Sequence, residues 1–321
     1  MLLPVRLTTS SVSWPTLAEP VTSGEPLRSR IKGRAPVAAV LGGPAALVIG
    51  AFVLLPLVIV SVLSVFTYDP LERSLHFAGL TNFQRILTSD QFRQAFVNTI
   101  VYMTLTVPVS VGLGLLVACG IHNVSRFGSF WRTAYFLPAV TTMAAMSVVW
   151  RWMFYPDSGL VDSTAGALVG AHDWLNSASL VLPAMAVVGN WQELGTMVVL
   201  FLAGLTAVPE RVVEAARVDG AKALSRFWHV TVPALRPTLL FAVVVATRDS
   251  LRTFDQIRVM TDGGPVGRTT TLAYYEWLRG VRYLDIGGGS VVNLILVALV
   301  LVLAAIQLPG YWRRAAERTP A

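Results

Sequence analysis

The chain alternates between long apolar runs and short polar stretches, and the apolar runs are long enough to cross a bilayer. A membrane-spanning helix takes about 20 apolar residues and satisfies its own backbone hydrogen bonds. Six such runs predict an all-α integral membrane protein with six transmembrane helices within residues 36–310. The predicted spans are residues 37–66, 95–121, 130–154, 180–207, 238–260 and 285–308.

The two ends of the chain are polar. Residues 1–35 are rich in Ser, Thr, Pro and Arg without apolar periodicity, which predicts a disordered N-terminal tail. The run that follows is too long for a cleaved signal peptide, so we expect it to remain as the first span. Basic residues cluster before this span, in residues 209–237 and in the tail 311–321, which places both termini in the cytoplasm. Only the last outer segment departs from this bias, with Arg268, Arg279 and Arg282.

Composition agrees with a membrane protein. Of the 321 residues, 54% are hydrophobic and 13% are charged, whereas soluble domains carry about 25% charged residues. The net charge of +7 comes from basic residues beside the spans, so we expect lipid contact and no nucleic-acid partner. The single cysteine, Cys119, excludes an internal disulfide, and the histidines show no metal-ligand spacing.

Several polar residues interrupt the apolar spans, where charge is costly and usually faces a cavity or a partner. On an unbroken fifth helix, its five polar residues would share one face about 120° wide. Such a face predicts a translocation path for a solute that forms hydrogen bonds. The alternative is that the charged residues pair with each other and fix helix packing. The candidate path residues are Asn190, Gln192, Glu193, Arg248, Asp249, Arg252, Asp255, Gln256 and Asn293.

The longest polar stretch between spans, residues 209–237, predicts a compact loop of two short helices separated at Asp219-Gly220. Glu210 and Glu214 suit the start of the first helix, and Gly220 can end it. We expect Pro233 and Pro237 to end the second helix. A structured polar loop of this kind is typical of a docking surface, although an ordinary surface loop would carry the same turn residues.

No Walker A, GxSxG or HExxH pattern occurs in the chain, so no power source for active transport is visible within it. An ATPase-independent secondary transporter would need its own coupling residues or inverted repeats, and no clear repeat is present. A membrane enzyme would need a nucleophile or acid–base cluster near the interface, and none stands out. Active transport by this chain would therefore need a power source outside it.

The loop at 209–237 resembles the EAA motif of permease subunits in bacterial ATP-binding-cassette importers. The family pattern is Glu-Ala-Ala, a glycine further on, and then Ile-x-Leu-Pro. Here the last part reads Val230-Thr231-Val232-Pro233, a departure that keeps the apolar character. The residues that carry the resemblance, and would couple the loop to an ATPase, are Glu214, Ala215, Ala216, Asp219, Gly220, Ala221, Phe227 and Pro233.

Further segments resemble the carbohydrate-uptake branch of this family, the MalF type. They are Gly79–Phe83, Trp150–Leu160, Phe254-Asp255 and Thr261–Pro265, so the resemblance spans about residues 36–310. It implies the type I importer permease fold in the bacterial plasma membrane, with a di- or oligosaccharide or polyol as the solute. The charges in the fifth span keep glycerol-3-phosphate or a glycerophosphodiester open as the alternative.

The resemblance also implies partners. These are a homologous second permease subunit, two ATP-binding-cassette ATPase subunits and an extracytoplasmic solute-binding protein or lipoprotein. The ATPase subunits would bind and hydrolyse ATP with magnesium, and this chain would bind no cofactor and catalyse no reaction. Glu214 would pair with a basic group in a cleft of the ATPase.

Overall fold

The computed structural model describes residues 40, 42–122, 128–166 and 173–307. The chain divides at Pro56 into a short N-terminal unit and a larger unit, which contains the cavities and the polar loop described below. The predicted tails, residues 1–35 and 311–321, lie outside the described residues. The described part is mostly helical, as its membrane composition predicts.

Within the residues that the structure describes, four helices are long and apolar enough to cross a membrane. They are α1 Gly42–Leu63, α3 Asp90–His122, α6 Val181–Thr206 and α12 Ile286–Gln307. Both ends of each helix lie within about five residues of the ends of a predicted span. Two bent helix pairs bring the number of candidate spans to as many as 6.

A small hairpin and a buried asparagine follow α1. Strands β1, Phe66–Asp69, and β2, Ser74–Phe77, pair antiparallel with Phe66 opposite Phe77. Helix α2, Thr81–Leu87, begins beside them and carries Asn82, which is 1% exposed. The Asn82 amide donates to the carbonyls of Ser64 at 3.0 Å and Phe66 at 2.9 Å. The Gly79–Phe83 segment thus ties the hairpin to the end of the first span.

The centre of the larger unit is the close contact between α3 and α6. Ser110, Gly114 and Ala118 are all buried on α3, and a Cβ on Gly114 would lie 2.3 Å from the Cβ of Met197. Only glycine lets the two helices approach this closely, as expected for small residues at four-residue spacing in membrane helices. Phe201 and Leu205 of α6 continue the same core cluster.

The predicted third span is wrong as a single helix. The structure has α4, Gly128–Val140, and α5, Met143–Met153, with an angle of 105° between the two at the break. The break frees the Thr141 carbonyl, which accepts a 3.2 Å hydrogen bond from the side-chain amide of Gln192. A broken helix is tolerated in a membrane where a neighbouring side chain satisfies the freed backbone group in this way.

The fifth span is also interrupted, and the loop helix before it is bent away from it. Helix α9, Arg236–Leu251, is bent by 72° from the helical stretch α8, Ala223–Ala234, that precedes it. It ends before residues 252–254, and α10, Asp255–Met260, begins after them. The freed Thr253 carbonyl accepts a 2.9 Å hydrogen bond from the Thr271 hydroxyl. The expectation of one straight helix over 238–260 is therefore corrected.

Residues 261–285 form an ordered connection between α10 and α12. Helix α11, Leu272–Trp277, is followed by the π-helical turn Leu278–Arg282. Asp262 organises this segment, since it accepts hydrogen bonds from the Tyr274 hydroxyl at 2.5 Å and from Arg258 and Arg282. The hydrogen bond from Tyr274 is the main reason that the pKa of Asp262 lies below its usual value.

Candidate functional site

A polar cavity of about 280 Å³ lies where α3, α6 and the broken fifth span meet. Its wall is rich in hydroxyl, amide and carboxylate groups, which is unusual for a space between membrane helices. Six of the predicted path residues line it: Gln192, Glu193, Asp249, Arg252, Asp255 and Gln256. The other three, Asn190, Arg248 and Asn293, are not among its lining residues.

The helix break at 252–254 brings these polar groups together. Asp249 lies near the end of α9, whereas Asp255 and Gln256 begin α10 on the other side of the break. The polar residues of the fifth span therefore do not share one continuous helical face, and that prediction is wrong. The groups line one cavity although the helix is interrupted between them.

Gln256 forms the most buried polar contact of the cavity. Its side chain is 1% exposed, and its amide nitrogen donates a 2.6 Å hydrogen bond to the hydroxyl of Tyr102, which is 2% exposed. The amide oxygen of Gln256 is buried without a partner in the described part of the chain. The Gln256 amide oxygen is thus an acceptor at the cavity wall that none of the described residues satisfies.

Gly189 provides the room for this contact. A Cβ at this position would lie 2.1 Å from the Tyr102 hydroxyl oxygen, which no side chain could tolerate. Nearby, the hydroxyls of Thr106 and Ser250 lie 2.6 Å apart and join α3 to α9. Tyr102, Thr106 and Gly189 were not predicted as site residues. A glycine directly before the polar stretch Asn190–Glu193 was the one local signal for them.

The three polar residues of the fourth span have different surroundings. Asn190 donates to the Leu105 carbonyl at 3.3 Å, and Gln192 donates to the Thr141 carbonyl at the break in the third span. Two acceptor atoms, Asn190 Oδ1 and Glu193 Oε1, are buried and have no hydrogen-bond partner among the described residues. The side-chain amides of Asn190 and Gln192 therefore each satisfy a backbone carbonyl, and Glu193 presents an unpaired acceptor.

Mutual pairing explains only part of the charge in the fifth span. Arg248 binds the adjacent Asp249 through two hydrogen bonds of 2.8 and 3.0 Å. Within the described ranges, no ion pair joins Arg252, Asp255 or Glu193 to another side chain. The packing alternative thus accounts for one pair and leaves three charged groups at the cavity.

Asn293 belongs to a second space. It donates a 2.7 Å hydrogen bond to Glu276 of α11 and lines a cavity of about 780 Å³ beside α12. Arg252 and Phe254 line both cavities. The structure therefore separates Asn293 from the other predicted path residues, with Arg252 between the two spaces.

The polar loop at 209–237 contains the two predicted helices, α7, Glu210–Val218, and α8. Gly220 ends α7 with φ +76°, while Gly220 N–H donates to the Arg217 carbonyl and Ala221 N–H to the Ala216 carbonyl. This pair of bonds is the Schellman motif, which requires the left-handed conformation that glycine adopts without strain. Asp219 is the C-cap residue.

The second helix of the loop differs from the expectation. It continues through Pro233 to Ala234, so Pro233 does not end it. Its Phe227 packs against the core cluster of α3 and α6, whereas the adjacent Trp228 is 58% exposed. Phe227 therefore anchors the loop, and Trp228 stays exposed for contact with another protein.

The surface of the loop is suited to contact with another protein. Glu214 and Ala215 are exposed on α7, and Ala216 is half-buried. Large apolar side chains are also exposed around them: Val212, Val218, Leu224 and Trp228. Exposed apolar residues rimmed by charge are typical of protein interaction sites.

Comparisons with known proteins give a consistent family. Residues 77–311 match the family described as "Binding-protein-dependent transport system inner membrane component". The chain is 32% identical over 240 residues to the sn-glycerol-3-phosphate transport system permease protein UgpA of Agrobacterium fabrum, covering 74% of this chain and 82% of that one. It is 30% identical over 271 residues to the lactose transport system permease protein LacF of Rhizobium radiobacter, covering 82% and 90%.

The fold is similar to that of a solved transporter. A chain of a bacterial ABC transporter involved in the import of the acidic polysaccharide alginate superposes with a TM-score of 0.74 at 20% identity. The superposition covers 89% of this chain and 98% of the other. A second structure, of the alginate ABC transporter in complex with an alginate pentasaccharide-bound periplasmic protein, gives the same TM-score at 19% identity. At this identity the likeness concerns the fold.

Proposed function

The chain belongs to the family of binding-protein-dependent transport system inner membrane components, and we propose that it forms part of the path of an ATP-driven carbohydrate importer. The observation that carries the proposal is the match over residues 77–311, which contains both the polar cavity and the exposed docking loop. The chain acts in a bacterial plasma membrane as a permease and relies on other subunits for ATP hydrolysis.

Six spans with both termini in the cytoplasm fit this role. The count takes α4 with α5 as the third crossing of the membrane and α9 with α10, without the loop helix α8, as the fifth. The loop at 209–237 then lies inside the cell, as its basic residues require. The segment 261–285 lies outside, where an extracytoplasmic solute-binding protein delivers the solute.

ATP hydrolysis drives transport through the docking of α7 on an ATPase subunit. Two ATPase subunits bind ATP with magnesium, and each docks on one of two homologous permeases. Glu214 is exposed and forms no hydrogen bond or ion pair with another described residue, so it is free to pair with a basic group on the ATPase. The apolar side chains of Val218 and Trp228 add buried area to that interface.

The geometry of the fifth span couples docking to the cavity. The loop helix α8 meets α9 at Leu235, which is 1% exposed and belongs to the core cluster. The other end of α9 carries Asp249 and Ser250 in the cavity wall. A shift of the docking loop therefore tilts α9 about Leu235 and changes the cavity, as a two-state importer requires.

A carbohydrate is the proposed solute, and a second candidate has specific support. Lactose and arabinooligosaccharide permeases are among the curated relatives, and the cavity wall offers hydroxyl, amide and carboxylate groups that suit sugar hydroxyls. Several relatives are instead sn-glycerol-3-phosphate permeases, which favours glycerol-3-phosphate or a glycerophosphodiester as the alternative.

Co-purification tests the proposal directly. A tagged chain, extracted in mild detergent from its own host, is expected to bring down a second permease and an ATPase in a complex that hydrolyses ATP. Addition of the cognate binding protein loaded with solute is expected to stimulate that hydrolysis. Isolation of the chain without any ATPase, together with solute uptake that persists without ATP, would contradict the proposed function.

A further inference from the structure

An apolar residue stands at the tip of the loop formed by residues 261–271, between α10 and α11. Val266 is 91% exposed, and its φ of +48° is a left-handed conformation that a β-branched residue adopts only under strain. Arg268, two residues further on, is exposed as well. Backbone strain persists where the surrounding structure holds it, and it is concentrated at functional sites. The strained tip therefore indicates a surface with a function.

Two side chains of α3 hold this tip in place. The Gln94 amide donates a hydrogen bond to the Val266 carbonyl at 3.0 Å. The buried Asn98 amide donates to the carbonyls of Gly267 and Thr270 at 2.8 and 2.9 Å. A fixed side chain loses little conformational freedom when a partner binds it. Insertion into lipid requires no such fixed geometry, so the arrangement favours contact with a specific protein.

A polar cavity of about 440 Å³ lies directly beside the tip. Pro265 of the loop lines it together with Arg151 of α5 and Arg258 of α10. Arg258 forms an ion pair with Asp262, the one carboxylate among the lining residues. Within the described ranges, Arg151 forms no ion pair, and its guanidinium donates only a 3.4 Å hydrogen bond to the Val259 carbonyl. The cavity therefore carries more positive than negative charge.

We infer that the tip at Val266 and the cavity at Arg151 form one docking surface for the solute-binding protein, which contributes an acidic side chain to the cavity and an apolar pocket to the tip. This rests on the proposed function, which puts the surface outside the membrane, and deepens it by assigning residues to the contact. A carboxylate that enters the cavity pairs with Arg151 through charge-assisted hydrogen bonds. Arg268, at the edge, attracts the same acidic face from a distance.

The mixed character of the surface fits this partner better than a second permease. A permanent interface between subunits is large and predominantly apolar, whereas a protein that binds and leaves in each transport cycle uses a smaller and more polar one. Here a single exposed valine stands beside exposed guanidinium groups. Docking of an acidic partner also gives a role to Arg268, a basic residue that goes against the positive-inside distribution of the chain.

Stimulation of ATP hydrolysis by the binding protein measures this surface. The complete importer is placed in nanodiscs, and hydrolysis is followed against the concentration of solute-loaded binding protein. Arg151→Glu should raise the half-maximal concentration about tenfold or more, because it sets a like charge against the acidic partner. Hydrolysis without binding protein should stay unchanged. Arg73, exposed in the turn between β1 and β2, provides the matched control, and Arg73→Glu should behave as the wild type.

A second variant separates docking from folding. Glycine adopts the left-handed conformation without strain, so Val266→Gly should keep or raise the thermal unfolding midpoint. Its half-maximal concentration should still rise about fivefold or more, since the buried apolar side chain is lost.

Three outcomes would contradict the docking surface. Wild-type half-maximal concentrations for both Arg151→Glu and Val266→Gly would overturn it and leave the proposed function standing. Unchanged stimulation together with a lower midpoint in Val266→Gly would assign the tip to lipid or to the second permease. A wild-type complex that no solute-binding protein stimulates would contradict the proposed function itself, and the docking surface with it.

Discussion

The side-chain amide of Gln256 donates a 2.6 Å hydrogen bond to the hydroxyl of Tyr102, 154 residues earlier in the chain. Both side chains are almost fully buried, and they join α10 to α3 at the wall of the polar cavity. The contact depends on the break at 252–254 and on the space left by Gly189. It is the point where the fold and the candidate path meet.

Removal of the Tyr102 hydroxyl should destabilise the protein. In Tyr102→Phe, the buried Gln256 amide loses its acceptor, and an unsatisfied buried group costs about 1–3 kcal/mol. We expect a lower thermal unfolding midpoint of the purified complex together with slower uptake. Tyr155 is 60% exposed, so Tyr155→Phe serves as the control and should behave as the wild type. Equal midpoints for the two variants would contradict the structural role of the contact.

Glu214 should matter for coupling and little for folding, because its side chain is exposed. A charge-assisted hydrogen bond contributes about 1.5–3 kcal/mol, so its loss weakens docking about tenfold or more. Glu214→Ala is therefore expected to reduce the ATPase that co-purifies and to slow uptake, with an unchanged unfolding midpoint. Glu210→Ala, one helical turn earlier, is the matched control. Full ATPase recovery with Glu214→Ala would remove this residue from the proposed interface.

Gly220 should tolerate no side chain, for reasons of backbone conformation alone. A Cβ there meets nothing within 4 Å, yet φ is +76°, and this conformation costs other residues roughly 1–2 kcal/mol. Gly220→Ala should therefore loosen the end of α7 and reduce uptake. Gly120 on α3 is equally open but lacks a positive φ, so Gly120→Ala should be neutral. Hydrogen exchange of residues 210–226 measures the difference.

Two glycines on one helix make a matched pair for the packing of α3 on α6. A Cβ on Gly114 would lie 2.3 Å from Met197, whereas a Cβ on Gly112 meets nothing within 4 Å. Overpacking typically costs about 1–3 kcal/mol, so Gly114→Ala should lower the unfolding midpoint. Gly112→Ala should leave it unchanged. Similar midpoints would contradict the close approach of the two helices.

Acid should weaken the segment around Asp262. Its pKa is lowered in the folded state, first by the hydrogen bond from Tyr274 and also by Arg258 and Arg282. A lowered carboxyl pKa adds stability above the ordinary pKa, and this contribution is lost as the pH falls through the lower folded-state value. The unfolding midpoint should fall with pH across this window. Asp262→Asn should be less stable at neutral pH and should show a flatter acid dependence.

The comparisons confirm the family resemblance that the sequence carried in its EAA loop. Glu214, Gly220 and the small residues between them are contiguous, so a local pattern contains all the information needed to place them on one exposed helix. Their partner in the ATPase stays a prediction. The long apolar runs were equally local, and α3, α6 and α12 follow them closely.

The candidate path was predicted less well. Gln192, Glu193 and Gln256 were identified because polar residues within a span are rare, yet the geometry assigned to the fifth span, which carries Gln256, assumed a continuous helix. Gln192 turned out to satisfy the carbonyl left by the break in the third span. Asn293 turned out to lie in a different cavity. Tyr102 and Gly189 look unremarkable in sequence, since a tyrosine or a glycine in an apolar run is ordinary.

The sequence by itself determined what short-range physics controls. Hydropathy set the approximate positions of the long apolar helices, and Gly220 set the end of the docking helix. Only the tertiary structure decided where the third and fifth spans break, because those breaks depend on Gln192 and Thr271 reaching carbonyls far away in the chain. The cavity follows from those breaks. Its unpaired acceptors, Glu193 and Gln256, exist because the neighbouring described helices supply no hydrogen-bond donor to them.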